Sequence, residues 1–202
     1  ITMRRLVSLA IVCALLGLAL PLRAETARPL QVVASFSILA DMLREVAGDA
    51  AQVHSLVGAN ADAHVFEPTP ADAQRLARAD LVVVNGLHFE GWIDRLVRSS
   101  GYRGPVIEAS RGIEPRRIGR AVDPHAWQSL AHAQRYIENM RAALVAAAPA
   151  QAAAIDARAA AYRERIVALD ASARAALEAV PREQRVPFSL ILDEAHVLAH
   201  SQ

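Results

Sequence analysis

Between residues 30 and 180 the apolar positions alternate between two periods. Leu30 to Ser35 is a short apolar run of the kind found in a strand buried on both faces. Leu39, Met42, Leu43 and Val46 then recur at i, i+3, i+4 and i+7, predicting a helix capped by Ser37 and stopped by Gly48. Gln52 to Val57 reads as a second strand. Thr69-Pro70 places a capping residue before a proline suited to the first helical position, so a helix should run from there to near Ala79. Leu81-Val82-Val83-Val84 is a third strand, and Asn85-Gly86 turns it into a helix spanning Glu90 to Ser99, with Trp92, Ile93, Leu96 and Val97 on it. Pro105 to Glu108 supplies a fourth strand. Strands alternating with helices at this pitch predict an α/β lobe with a mostly parallel sheet.

The later pattern is helical. An irregular, arginine-rich stretch from Arg111 to Val122 precedes a helix expected over Ser129 to Ala147, with Leu130, Ala133, Ile137, Met140 and Leu144 on one face. Pro149 breaks it. A second helix should run from Gln151 to Val180, ~45 Å at 1.5 Å per residue, with Ile155, Tyr162, Ile166, Leu169 and Leu177 as its apolar positions. That is more than a crossover in a small sheet needs, so it reads as a strut between two lobes. Val186 to Leu192 looks like a new strand without partners, which could not stand alone. The expected organisation is a parallel-sheet N-terminal lobe at 25–148, a long linking helix at 149–181, and at 182–202 a remnant of a second α/β lobe that is otherwise missing.

The first residues add a destination. Met3-Arg4-Arg5, the apolar run Leu6 to Leu20 and Pro21-Leu22-Arg23-Ala24 have the layout of a secretory signal peptide over 1–24, cut after Ala24. The apolar run is short for a bilayer, which needs ~20 residues, so no stable membrane insertion is expected after cleavage, and the mature chain should be periplasmic. Cys13, the only cysteine, lies inside that run, leaving the mature chain without thiol or disulfide. Every one of the 22 basic residues is arginine. Removing Arg4, Arg5 and Arg23 leaves 22 − 3 = 19 basic against 21 acidic residues, about −2, which argues against a nucleic-acid partner.

The candidate chemistry lies in two histidine segments. His64 sits in Asn60-Ala61-Asp62-Ala63-His64-Val65-Phe66-Glu67-Pro68-Thr69, and His125 in Asp123-Pro124-His125-Ala126-Trp127. Each imidazole follows an aspartate in a loop rich in turn-forming residues, and the His64 loop leaves the carboxyl end of a strand, where α/β sheets bind ligands. Two such histidines can share a metal ion, with Asp62, Glu67 or Asp123 orienting a second ring nitrogen. Zinc takes four N, S or O ligands, so more are required. His88 is a fallback third ligand on the same lobe. His196 and His200, four apart, are another. His54 alternates along a strand and His132 falls on a helix surface.

These motifs, with the strand and turn from Leu81 to Gly91, resemble the cluster A-I substrate-binding proteins of bacterial ABC importers for zinc and manganese, over Gln31 to Val180. The resemblance implies two α/β lobes joined by a rigid helix, a metal buried between them, and His64 and His125 as the two first-lobe ligands. It further implies a third ligand, His or Glu, and an Asp from the second lobe. Here the sequence departs: Ser189-Leu190-Ile191-Leu192-Asp193-Glu194 stands where the family has a Ser-His-Asp type motif, and the break after Arg185 reads as a frameshift or a natural C-terminal truncation.

The function so implied is a periplasmic binding protein that captures Zn²⁺ or Mn²⁺, the transported ligand, and docks on a membrane permease. Two alternatives remain: a non-functional remnant with a weak half-site, and a secreted zinc hydrolase. No His-Glu-x-x-His motif, Gly-x-Ser-x-Gly elbow or phosphate-binding glycine loop is present, so an enzyme is not expected.

Overall fold

The computed structural model describes residues 28–181. The signal segment, the strand expected at Val186 to Leu192, His196 and His200 lie outside the described residues. Four parallel strands form one sheet: β1 (Leu30–Phe36), β2 (Ala51–Val57), β3 (Leu81–Val84) and β4 (Val106–Glu108), in the order β2-β1-β3-β4. This order reverses direction between β1 and β3, the switch point outside which open α/β sheets place their ligands. All four residues of β3 are buried, as a central strand of β-branched residues requires.

Helix α1 (Ser37–Ala47) buries Leu39, Ala40, Met42, Leu43, Val46 and Ala47. Ser37 does not cap it. The N-cap is Phe36, still in extended geometry, and Ser37 is the first helical residue, so the strand runs into the helix without an intervening loop. Helix α2 (Pro70–Ala77) starts as expected and more strongly. Thr69 Oγ1 accepts from the Asp72 backbone N–H and Asp72 Oδ2 accepts from the Thr69 N–H at 2.9 Å, a reciprocal capping box.

Helix α3 (Ile93–Ser100) begins three residues later than its apolar period suggests, because Glu90 is turned back toward β3. The stretch expected to be irregular holds a minimal antiparallel ribbon, β5 (Arg117–Ile118) against β6 (Ala121–Val122), closed by Gly119 at φ 61°. Helix α4 (Leu130–Ala147) buries Ala133, Tyr136, Ile137, Met140 and Leu144, and Ser129 caps it.

A 3-10 turn at Pro149–Gln151 leads into the long helix α5 (Ala152–Glu178), 27 residues. Only its first half is built into the lobe. Ile155, Ala159 and Ile166 are buried against α1 and α4, whereas Leu169 and Leu177, expected on the same inner face, are 53% and 58% exposed. Arg158 crosses to α1, donating from Nε to the Val46 carbonyl at 3.1 Å and from Nη2 to the Ala47 carbonyl at 2.6 Å, so α5 satisfies the last carbonyls of another helix. Among the described residues no helix is long and apolar enough to cross a membrane. The parallel-sheet lobe followed by a long helix is the expected architecture.

Candidate metal centre

Beyond the carboxyl ends of β1 and β3 the two histidine loops meet. His64 Nε2 and His125 Nε2 lie 3.2 Å apart, with ring centroids at 5.3 Å. Two nitrogens each ~2.0–2.1 Å from a zinc ion at a near-tetrahedral angle would be separated by ~3.3–3.4 Å. The spacing is short enough for a direct ring-to-ring hydrogen bond and is also compatible with two imidazoles sharing one small cation.

Each loop folds around its own aspartate. Asp62 Oδ1 accepts from the His64 backbone N–H at 2.8 Å, and Asp123 Oδ1 accepts from the His125 N–H at 3.0 Å, the Asx geometry that the two motifs share. Asp123 does more. Its Oδ1 also meets His125 Nδ1 at 2.8 Å, and a carboxylate there makes Nδ1 the donor and leaves the Nε2 lone pair facing His64. Partial burial opposes ionisation of Asp123, yet the His125 N–H and imidazole, with the Arg116 charge, hold its carboxyl below the usual carboxylate range.

Aromatic rings support the pair from beneath. Phe89 meets His64 edge-on at 4.5 Å and His125 at 5.8 Å, and Phe36 and Trp127 lie against Phe89 at 5.1 and 4.6 Å. Phe89 reaches this position through a backbone that is left-handed at three successive residues, Gly86 at φ 82°, Leu87 at 55° and His88 at 62°. A Cβ at Gly86 would come within 3.1 Å of Ser110 Oγ and 3.3 Å of Glu108, so the tight packing and the positive φ both favour glycine there. The His64 loop is tied down by Trp92, whose Nε1 donates to the Ala63 carbonyl at 2.8 Å.

A buried polar network lies one layer deeper. Glu90, 5% exposed, accepts from Ser35 Oγ at 2.5 Å and the Asn85 N–H at 2.6 Å through Oε1, and from the Gly86 N–H at 3.2 Å through Oε2. Burial pushes its carboxyl above the usual range, and these three hydrogen bonds oppose that shift. Tyr136 donates to Asn85 Oδ1 at 2.5 Å.

Of the fallback ligands, His88 is exposed on the left-handed turn and does not join the pair, since no group of three His, Cys, Asp or Glu side chains converges for a metal among the described residues. Glu67 is exposed, Asp62 bonds the His64 backbone N–H, and Asp123 meets a ring nitrogen of His125. His54 is half-buried on β2. His132 is not simply on the surface: its Nδ1 is buried without a hydrogen-bond partner among the described residues. It borders an open cleft of about 510 Å³ between α4, α5 and Gly112–Glu114, apart from the imidazole pair. Asn85, Glu90 and Tyr136 escaped the sequence reading because Asn85-Gly86 resembles an ordinary turn, Glu90 a helix start and Tyr136 an ordinary helix position.

Comparison with known proteins defines the class. The family model described as zinc-uptake complex component A, periplasmic (ZnuA), matches residues 32–189. The iron-binding protein YfeA of Yersinia pestis is 39% identical over 166 residues, covering 80% of this chain and 53% of YfeA. The manganese ABC transporter substrate-binding lipoprotein PsaA of Streptococcus pneumoniae is 32% identical over 169 residues, covering 78% and 54%. Among solved structures, the Mn-bound periplasmic metal-binding protein of Candidatus Liberibacter asiaticus superposes with a TM-score of 0.71 at 34% identity, covering 76% of this chain and 59% of that one. Zn(II)-bound AdcA of Streptococcus pneumoniae gives 0.65 at 29% identity, covering 71% and 32%.

All four are named for, or shown with, a bound metal, and one of them, PsaA, is named as the substrate-binding lipoprotein of an ABC transporter. The chain belongs to the ZnuA family of periplasmic metal-binding components. It spans about half the length of the relatives it matches.

Proposed function

We propose that this chain carries the metal-capturing lobe of a periplasmic substrate-binding protein, which takes Zn²⁺ or Mn²⁺ and delivers it to the membrane permease of an ABC importer. His64 and His125 are the protein ligands in this reading, residues 25–148 the metal-binding lobe and 149–181 the linking helix. The observation that carries it is the pair of Nε2 atoms 3.2 Å apart, one of them backed by a carboxylate on its other nitrogen. Two imidazoles leave at least two positions of a four-coordinate ion to water or to groups outside the described residues. Imidazole donors favour zinc over manganese, in line with the general order of divalent affinities. Kinship with manganese, zinc and iron binders supports a transition-metal cargo.

Calorimetric titration of the chain with Zn²⁺ and Mn²⁺, alongside His64→Ala and His125→Ala, tests the assignment. One-to-one binding that is lost in both variants is expected. Weak binding that still depends on both histidines would identify a half-site, and binding indifferent to both substitutions would remove them from the site.

A further inference from the structure

We propose that Asn85 is a positioning residue of the metal centre, its carboxamide locking the Pro124 carbonyl and thereby the reach of His125 toward His64. The inference rests on the reading of those histidines as the metal ligands, and it assigns to a residue that touches no metal the task of setting their separation.

Asn85 is fully buried at the carboxyl end of β3, and nearly every hydrogen-bonding position it has is used. Its backbone N–H goes to Glu90 Oε1 at 2.6 Å, and its carbonyl accepts from Ser110 Oγ at 2.6 Å and the Ser110 N–H at 3.2 Å. Its side chain then makes one contact across 39 residues of sequence: Nδ2 donates to the Pro124 carbonyl at 2.9 Å, with the Gly86 carbonyl as second acceptor at 3.0 Å. Both partners are carbonyls and can only accept, so the amide nitrogen must face them and Oδ1 must face Tyr136. Tyr136 occupies that oxygen at 2.5 Å and holds the amide in this orientation.

The geometry continues outward without a gap. The Pro124 carbonyl belongs to the peptide that leads into His125, and Asp123 clasps the backbone and the Nδ1 of that histidine. Moving the Pro124 carbonyl would therefore carry Asp123, His125 and the Nε2 lone pair with it. A residue serving the fold alone could be satisfied within β3 and its turn; this one reaches into the ligand loop. Ionised aspartate has the same shape but no donor for Pro124, and alanine leaves two part-buried carbonyls and the buried Tyr136 hydroxyl unmatched.

The test compares the full chain with Asn85→Asp, Asn85→Ala and Tyr136→Phe, and with Ile155→Ala as a core truncation on α5 remote from the centre. Zn²⁺ affinity by chelator competition, the Co²⁺ absorption spectrum and metal-free amide exchange over residues 121–127 are the readouts. Both Asn85 variants should lose about 10- to 100-fold in Zn²⁺ affinity, the usual span for groups that orient ligands, shift the Co²⁺ bands and speed exchange at the His125 amide. Tyr136→Phe, which keeps the ring and frees only the amide orientation, should move the same readouts in the same direction by less. Ile155→Ala should lower the unfolding midpoint and leave metal affinity and spectrum unchanged. Wild-type affinity and exchange in the Asn85 variants would overturn the inference, as would losses in Ile155→Ala that follow its stability. If the wild-type chain takes up neither Zn²⁺ nor Co²⁺, the metal-capture reading fails, and unaltered exchange of the loop in Asn85→Asp would separately refute the positioning role. If the Asn85 variants do not fold, Tyr136→Phe decides: unchanged affinity and exchange overturn it.

Discussion

At the scale of the residue, the two histidines differ in setting. His125 is half-buried and gripped at both its backbone and Nδ1 by one carboxylate; His64 is exposed, with its backbone bonded to Asp62 and its ring against Phe89. Asp123→Asn keeps the shape and removes the charge that fixes the tautomer. Zinc affinity is expected to fall by about 10-fold or more, measured by competition with a chromophoric chelator; an unchanged constant would show that Asp123 only shapes the loop. Glu90 makes a second prediction, concerning stability. Its carboxyl titrates above its ordinary value of 4.5 because it is buried, with only hydroxyl and amide donors opposing the shift, and the Tyr136 phenol feels its charge. The folded state thus holds the proton more tightly than the unfolded chain. That contribution is fully present below the unfolded value and is lost as pH rises through the folded one. Urea unfolding from pH 4 to 8 should show this decline, and Glu90→Gln should flatten it. An equally steep decline in the variant would assign it to other groups.

At the scale of the element, what could be read from the sequence was what is local. The capping box at Thr69 and Asp72, the four-residue core strand β3 and the inner face of α4 are each written within a few residues, and the structure has them where the periods place them. Thr69→Ala removes the hydroxyl half of that box and leaves the Thr69 N–H on Asp72 Oδ2, so about 1 kcal/mol of stability should go with it; chemical denaturation measures this, and no loss would mean that the backbone half and Pro70 suffice to start α2. The late start of α3 was hidden because Glu90 fits the helical period, and the partner that turns it away, Ser35, is 55 residues distant. The histidine motifs were visible, and so was the expectation that they meet; the contacts that set their meeting were not, because the β1–β3 switch point and the Asn85 bond to Pro124 both need the folded sheet.

At the scale of the whole molecule, the first half of α5 is what the described residues fasten to the lobe. That half is buried against α1 and α4, and Arg158 binds it to the carbonyl end of α1, while an Arg165–Glu45 ion pair adds a second attachment. Arg158→Ala strips both α1 carbonyls of their donor and should destabilise the chain by about 1.5–3 kcal/mol, the span for bonds to a charged group. Hydrogen exchange should quicken at the start of α5 and the end of α1 together. Quickening in α5 alone would mean that the two helices are not coupled through this side chain.

The different exposure of the two histidines also sets a sequence in time for the proposed ligands. A cation held between them would rest on a half-buried post, His125, and under an exposed latch, His64, beside Val65, which is 71% exposed. The latch should lift first, leaving the ion briefly on the post alone, where it is either recaptured or handed on. In a stopped-flow chase with excess chelator, His64→Ala should then speed release far more than it slows capture.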